Sequence, residues 1–355
     1  MILKTDCRFF RGDVPCKPHK EHGVHCVNCT YYDPVDKNIL IIKLGAIGDV
    51  IRTTPLLHRL KREYPHAKIW WLTLTPEMLP GIVDVRMKFS LENIVALRSV
   101  KFDILYNLDK DREACALALQ ITADVKKGFT LKDGKCAPAD KDAEAKYFTG
   151  VFDDLNKGNT KSYPQEIFEM CGFRFAGEKY ILPFQPWKDK RWKLSGKKMV
   201  VGFNTGCGGR WTSRLWPEKY WIAAAKSLKK AGYEVLLLGG EQEHVKNLRL
   251  AKASGAKYFG HYPLDGFINL VNQCDLVVTA VTMGMHITIG LGKKIVLFNN
   301  IFNKHEFELY GLGEILEPEF DCTCFFSPTC PNDCMQYLYP ARVVRTVRGL
   351  LGTSK

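Results

Sequence analysis

Four consecutive large aliphatic residues, Ile39-Leu40-Ile41-Ile42, run directly into Lys43-Leu44-Gly45-Ala46-Ile47-Gly48-Asp49. No other stretch limits the possible folds as sharply. A strand apolar on both sides has to be covered on both faces, which is the setting of a parallel sheet. A helical pattern follows from about Val50 to Tyr64, then another apolar run from Lys68 to Leu74. Strand, helix, strand in that order closes as a right-handed parallel unit.

The same alternation then recurs. A strand is expected at Ile104 to Leu108 and a helix at Arg112 to Ala123, followed by a polar loop over residues 133–160 and a helix at Ser162 to Met170. Residues 186–198 have linker composition. A second series starts at Met199-Val200-Val201-Gly202-Phe203, with helices at Pro217 to Ala231 and Glu241 to Ala253 and strands at Glu234 to Leu238, Asp275 to Val278 and Lys294 to Phe298. With 355 residues, 46% of them hydrophobic, the chain is long enough for two cores. The expected layout is a cysteine-rich module over 1–36, Rossmann-like domains over 37–185 and 199–318, and a tail with a closing helix over 319–355. Disorder and coiled-coil designs are excluded by composition.

Four motifs sit after strands and carry candidate chemistry. In the first, Gly45 and Gly48 are expected to permit positive φ and close approach of a ligand, ahead of a helix that offers free N–H groups to an anion. Its G-x-x-G spacing is not the dinucleotide fingerprint. Asp49 reads either as a helix cap or as a catalytic base. The second, Asn204-Thr205-Gly206-Cys207-Gly208-Gly209-Arg210-Trp211-Thr212-Ser213-Arg214, joins glycines, hydroxyls and two arginines, a composition suited to a diphosphate. The third, Gly239-Gly240-Glu241-Gln242-Glu243, offers a carboxylate to ribose hydroxyls or a helix cap. The fourth, Thr282-Met283-Gly284-Met285-His286, follows a strand where open α/β sheets bind ligands, and His286 taken alone reads as a core histidine.

In this order the motifs resemble glycosyltransferase family 9, the ADP-heptose:lipopolysaccharide heptosyltransferases, from about Asn38 to the C-terminus. The resemblance implies a GT-B fold, two Rossmann-like domains with a cleft between them, and inverting, metal-independent transfer. It implies Asp49 as general base with Lys43 beside it. Donor contacts fall on Gly48, Thr205, Gly206, Gly208, Arg210, Arg214, Glu241 (Glu243 competing), Thr282, Gly284 and His286. ADP-heptose is the implied donor, and a lipopolysaccharide-core or related envelope glycolipid the implied acceptor. Val281 and Met283 stand where the family places an Asp and a Gly, so a carboxylate near the donor is missing. A GT-B protein weakened in catalysis and serving in binding or assembly is the alternative, as is a heptosyltransferase that modifies proteins. Asp109-Lys110-Asp111 spells a D-x-D motif, but its acids equally suit a strand end.

Lys and Arg number 51 against 38 acids, a net charge of +13, which favours an anionic partner. An anionic glycolipid at the inner membrane surface fits; nucleic acid does not, because residues 1–36 carry equal numbers of acids and bases. Absence of a signal-peptide pattern at Met1-Ile2-Leu3-Lys4 and of a spanning apolar stretch leads to the expectation of a cytoplasmic protein, peripheral at the inner membrane. Eight of thirteen cysteines fall into two terminal groups. Cys7, Cys16, Cys26 and Cys29 are expected to hold a structural metal, zinc ahead of iron, with His19, His22 and His25 as substitute ligands. Cys322, Cys324, Cys330 and Cys334 form a second possible site or remain thiols; some family members carry an iron-binding cysteine finger nearby. The final helix is expected to cross back to the N-terminal domain, as the GT-B fold implies.

Overall fold

The computed structural model describes residues 2–187 and 192–352. The chain divides into two compact units: Met1–Phe148 with Pro164–Glu178, and Thr149–Tyr163 with Lys179–Lys355. The boundary thus lies near residue 178 rather than at 186. Residues 188–191 of the expected linker lie outside the described residues. Flanking them, Trp187 stacks on Trp192, and the Trp187 N–H donates to Asn269 Oδ1 at 2.8 Å. Those aromatic residues belong to the second unit's packing.

The first unit holds β1 (Asn38–Ile42), β2 (Lys68–Thr73), β3 (Val85–Lys88), β4 (Lys101–Asn107), β5 (Thr122–Lys132) and β6 (Lys135–Pro138). Their order is β3-β2-β1-β4-β5-β6, parallel except for the antiparallel β5–β6 pair. The aliphatic run of β1 is central, paired with β2 on one side and β4 on the other, and Ile39 to Ile42 are fully buried. Each such side chain contributes about 1.5–3 kcal/mol by leaving water. Strand order reverses between β1 and β4, so their carboxyl ends make the crevice where doubly wound sheets bind ligands.

The second unit holds β7 (Val200–Asn204), β8 (Glu234–Leu238), β9 (Leu276–Ala280), β10 (Lys294–Phe298) and β11 (Gly313–Leu316), in the order β11-β10-β9-β7-β8. Every pairing is parallel. Here the order reverses between β7 and β9. Its core joins Val201, Phe203, Trp216, Trp221, Val278 and Phe298.

Several expectations need correction. The helix expected from Val50 to Tyr64 is two helices, Ile47–Thr53 and Leu56–Glu63, because Pro55 lacks the N–H to continue the first. The helix from Arg112 ends at Gln120, and the chain passes directly into β5. Residues 133–160, expected as loop, contain β6 and the short helices Glu144–Phe148 and Asp153–Gly158. The apolar face of the final helix Pro340–Leu351 lies within the second unit. Val343, Val344 and Val347 are buried in the core of the second unit, which satisfies that face locally.

Candidate active site

At the ends of β1 and β4 the register sets Ile42 beside Asn107, which brings the chain after each strand together. Lys43 and Asp109, both buried, form an ion pair with Nζ 3.3 Å from Oδ2. The same oxygen accepts the backbone N–H of Leu44 at 2.9 Å and of Gly45 at 3.5 Å. Oδ1 accepts the Asp111 N–H at 3.4 Å. Both oxygens of Asp109 are therefore committed, and the D-x-D spelling describes a strand end. Next to it burial pushes the Lys110 ammonium pKa down, helped by the charges of Lys146 and Lys43. Desolvation, then the carboxylate of Asp109, raises Asp111.

Asp49 lies in the first turn of the helix Ile47–Thr53. Its Oδ2 accepts the Ala46 N–H at 3.2 Å, and Oδ1 pairs with Arg52 at 2.8 Å. Cap and accessible carboxylate are thus one arrangement: the side chain is held at the helix start yet stays 31% exposed. Gly45 does not adopt positive φ, and Gly48 is a buried residue inside the helix. The turn therefore draws on a small residue in the helix rather than on left-handed backbone.

In the second unit Asn204 ends β7, and its Nδ2 donates to Thr279 Oγ1 at 2.8 Å and to Thr282 Oγ1 at 3.0 Å. Thr282 caps the helix Met283–Gly290 by accepting the Gly284 N–H at 3.1 Å. Gly284 admits this network, since a Cβ there would lie 2.7 Å from Asn204 Nδ2. Thr205 Oγ1 donates to Asn247 Oδ1 at 2.6 Å, and Lys246 Nζ donates to the Thr205 carbonyl at 2.8 Å. Burial lowers the Lys246 pKa, opposed by the charge of Glu243. Gly206 is required by crowding: a Cβ would meet Glu243 Oε1 at 2.2 Å. Gly208 is required by its φ of +75°.

Arg214 is the unusual member. It is 8% exposed. Its Nη2 donates to the Cys207 carbonyl at 2.8 Å and its Nη1 to the Val281 carbonyl. The guanidinium lies over the rings of Trp211 and Phe302. Nε is buried without a hydrogen-bond partner. Burial lowers the pKa of the group, and among the described residues no carboxylate opposes that. A buried cation without a counter-ion is costly unless an anion completes it.

The remaining expected donor residues divide. Glu243 accepts the Gly240 N–H at 2.9 Å and packs on Gly206, so it is the cap, while Glu241 and Arg210 are exposed. His286 is buried, with Nδ1 3.5 Å from the Tyr180 hydroxyl. Val281 supplies a backbone carbonyl to Arg214 where a carboxylate was missing. Asp109, Asn204, Lys246 and Asn247 were not singled out for these contacts by sequence reasoning. Their partners are set by strand pairing, and only the D-x-D spelling drew any attention to Asp109.

The cysteine loop of the tail braces the arginine segment. Cys322, Cys324 and Cys330 place their sulfurs within 4.8 Å of one another, with Cys322 and Cys330 at 3.4 Å. Against the raising effect of burial, N–H groups of Cys334 and Asn332 and neighbouring thiols bring the Cys330 thiol down to about 7. Cys334 Sγ accepts from Asn300 Nδ2 at 3.2 Å, and Asn300 Nδ2 also donates to the Ser213 carbonyl at 2.8 Å. Ser213 N–H donates to the Pro328 carbonyl at 3.0 Å, and its Oγ to the Ser327 carbonyl at 2.8 Å. Phe326 packs against Trp211 and Phe302.

Two doubly wound units, each with polar and charged groups gathered at a switch point, define the GT-B class. Residues 175–307 match the family model for glycosyltransferase family 9 (heptosyltransferase). Lipooligosaccharide heptosyltransferase 2 of Haemophilus influenzae is 23% identical over 293 residues, 73% of this chain and 82% of that protein. The crystal structure of a family 9 glycosyltransferase from Veillonella parvula superposes with a TM-score of 0.67 at 18% identity, covering 90% of this chain and 98% of that one. The dodecameric, iron-containing heptosyltransferase TibC of enterotoxigenic Escherichia coli, in complex with ADP-D-β-D-heptose, superposes at 0.57 and 13% identity over 89% of this chain and 77% of its own. By these likenesses the chain is a glycosyltransferase, similar over residues 175–307 to glycosyltransferase family 9.

Proposed function

We propose that the protein transfers a heptose from ADP-heptose, with inversion, to a hydroxyl of a lipopolysaccharide-core or related anionic glycolipid at the inner membrane face. The observation that carries this reading is Arg214, a buried guanidinium with an unpartnered Nε and, among the described residues, no carboxylate beside it. A nucleotide diphosphate supplies the missing charge, and charge-assisted bonds of this kind are among the strongest available. Arg210, exposed next to it, and the glycine backbone of 206–209 receive the phosphate oxygens. Glu241 receives the ribose hydroxyls. The heptosyltransferase relatives and the ADP-heptose bound to TibC support the choice of donor.

On the first unit Asp49 takes the proton of the attacking hydroxyl. Arg52 pairs with its carboxylate at 2.8 Å, and the Ala46 N–H fixes its direction. Lys43, locked to Asp109, holds the β1 end rigid. As the hydroxyl oxygen attacks the anomeric carbon, the bond to the nucleotide diphosphate breaks on the opposite face. Arg214 stabilises the charge that develops on the leaving group. No helix among the described residues is long and apolar enough to cross a membrane, so glycolipid is met from one side, helped by the net charge of +13.

The tail thiols fit a metal ion: three sulfurs lie within 4.8 Å and Cys334 lies on the same loop. An ion held by Cys322, Cys324, Cys330 and Cys334 would stiffen the segment that carries Arg214. No step of transfer runs through it. The test of the function is a panel of nucleotide sugars with the wild type and Asp49→Asn. Transfer from ADP-heptose by the wild type alone, with inverted anomeric configuration, is the expected result. Failure of every donor to bind leaves the assembly role instead.

A further inference from the structure

The N-terminal module is open at its centre. Cys7, Cys16, Cys26 and Cys29 all line one small cavity of about 30 Å³. A lone tetrahedral zinc ion, with bonds of roughly 2.3 Å, requires its four sulfurs to stand about 3.8 Å apart. Here no three of these sulfurs lie within 4.8 Å of one another, the tail group being the only such trio among the described residues. A closed thiolate cage also leaves no space for water, whereas this cavity exceeds the roughly 10–15 Å³ that admits one.

The spacing is built in rather than loose. Cys7 pairs with Pro34 in an antiparallel bridge, and the N–H groups of Arg8 and Val35 donate across it to Asp33 and Asp6 at 2.8 and 2.9 Å. Arg8 pairs with Asp33 inside the module at 2.6 Å and ties the module to the sheet domain through Asp84 at 2.9 Å. Cys16 stands at the start of the helix Lys17–His22, and Gly23, with φ of +67°, ends that helix. The histidines do not close the cage. None of them lines the cavity; His19 Nδ1 bonds to the Val24 carbonyl at 3.0 Å, and His22 stacks on Tyr31. Phe9, Phe10 and Val24 make an apolar wall, and Lys4, 4.0 Å from the Tyr32 ring centroid, brings a positive charge to it.

We infer that this module binds an iron–sulfur cluster through Cys7, Cys16, Cys26 and Cys29, in place of the single zinc ion the spacing suggested. Four thiolates around a wider centre are the ligand set of such clusters. A multi-iron core fills the space a single ion leaves, and the apolar wall shields it while Lys4 offsets its negative charge. Ligation of a preassembled cluster balances simply: each thiol gives up its proton, and four iron–thiolate bonds replace the bonds to the cluster's former ligands. The module buries little apolar surface of its own, so binding the cluster also stabilises its fold.

Full-length protein is purified without oxygen and reconstituted with ferric iron, sulfide and excess thiol. Iron, acid-labile sulfide and zinc are counted, and the visible spectrum is recorded. Two or four irons with matching sulfide, and absorption at about 400 nm that dithionite bleaches, are expected. One zinc without sulfide, or no cluster after reconstitution, overturns the inference. Replacing Cys322, Cys324, Cys330 and Cys334 by Ser should leave sulfide and colour within the error of the wild type. Cys26→Ser with Cys29→Ser should abolish them. The reverse pattern assigns the cluster to the tail and overturns the inference as well. The wild-type count decides even if a variant fails to fold, and it is independent of whether ADP-heptose is the donor.

Discussion

The two strand-end sites treat buried charge in opposite ways. At the ends of β1 and β4, Lys43 and Asp109 neutralise each other, and both carboxylate oxygens are fully used. At the ends of β7 and β9, Arg214 is buried with carbonyl partners, an orphan Nε and, among the described residues, no acid. The first site is complete as it stands, and the second is complete only with an anion. A closed charge pair suits a scaffold that fixes a base; an open one suits a site that must capture and later release a phosphate-bearing donor.

The largest expected effect tests the division of labour. Asp49→Asn should lower kcat by roughly 10²–10⁴-fold, the usual contribution of a positioned base, while ADP affinity measured by calorimetry stays within about twofold. A comparable loss of ADP affinity would show that Asp49 serves binding. Second, Lys43→Met strands the buried Asp109 carboxylate and should cost about 3–5 kcal/mol of stability in denaturant titration. Adding Asp109→Asn should recover much of that. Third, Arg214→Met should weaken ADP binding by roughly 10–100-fold, as loss of charged hydrogen bonds does, without the stability loss seen at Lys43. If it destabilises the protein as much as Lys43→Met, the contrast between open and closed charge is wrong. Fourth, Gly206→Ala forces Glu243 aside and should cost about 1–3 kcal/mol, with a several-fold rise in the donor KM.

The smallest effect is one of pH. Burial depresses the Lys246 pKa below its ordinary value of 10.5, so the unfolded chain holds that proton more tightly than the folded one. Stability should therefore gain a small increment from this group as pH rises from its lowered pKa towards 10.5. Lys246→Met should remove that increment from the pH–stability curve. An unchanged curve would mean that the ammonium is not strained in the fold.

Legibility followed the range of the interaction. The aliphatic run of β1, the strands β7, β8 and β10, and the helix Pro340–Leu351 were readable because local periodicity and burial on both faces leave a mark on adjacent residues. The break at Pro55 had its signal in the sequence too, as a proline inside a helical pattern. Residues 133–160 read as loop because β6 is a short polar hairpin partner whose identity rests on β5. The motif residues Asp49, Thr205, Gly206 and Arg214 were visible as types. Their roles were less so: neither the Lys43–Asp109 pair, 66 residues apart, nor the choice between Glu241 and Glu243 leaves a local trace.

By itself the sequence determined two doubly wound cores, the strand-end glycine motifs, the resemblance to family 9 glycosyltransferases, and two clusters of cysteine, since each of these is written in neighbouring residues or fixed spacings. Only the tertiary structure decided which charges are satisfied and how far apart the sulfurs stand. Strand order brings Lys43 to Asp109 and buries Arg214 with no acid beside it among the described residues. The bridge at Cys7 and the staple through Arg8 hold four thiols around a cavity, while the tail loop draws three together. Those outcomes depend on distances between residues far apart in the chain, and spacing in one dimension carries no measure of them.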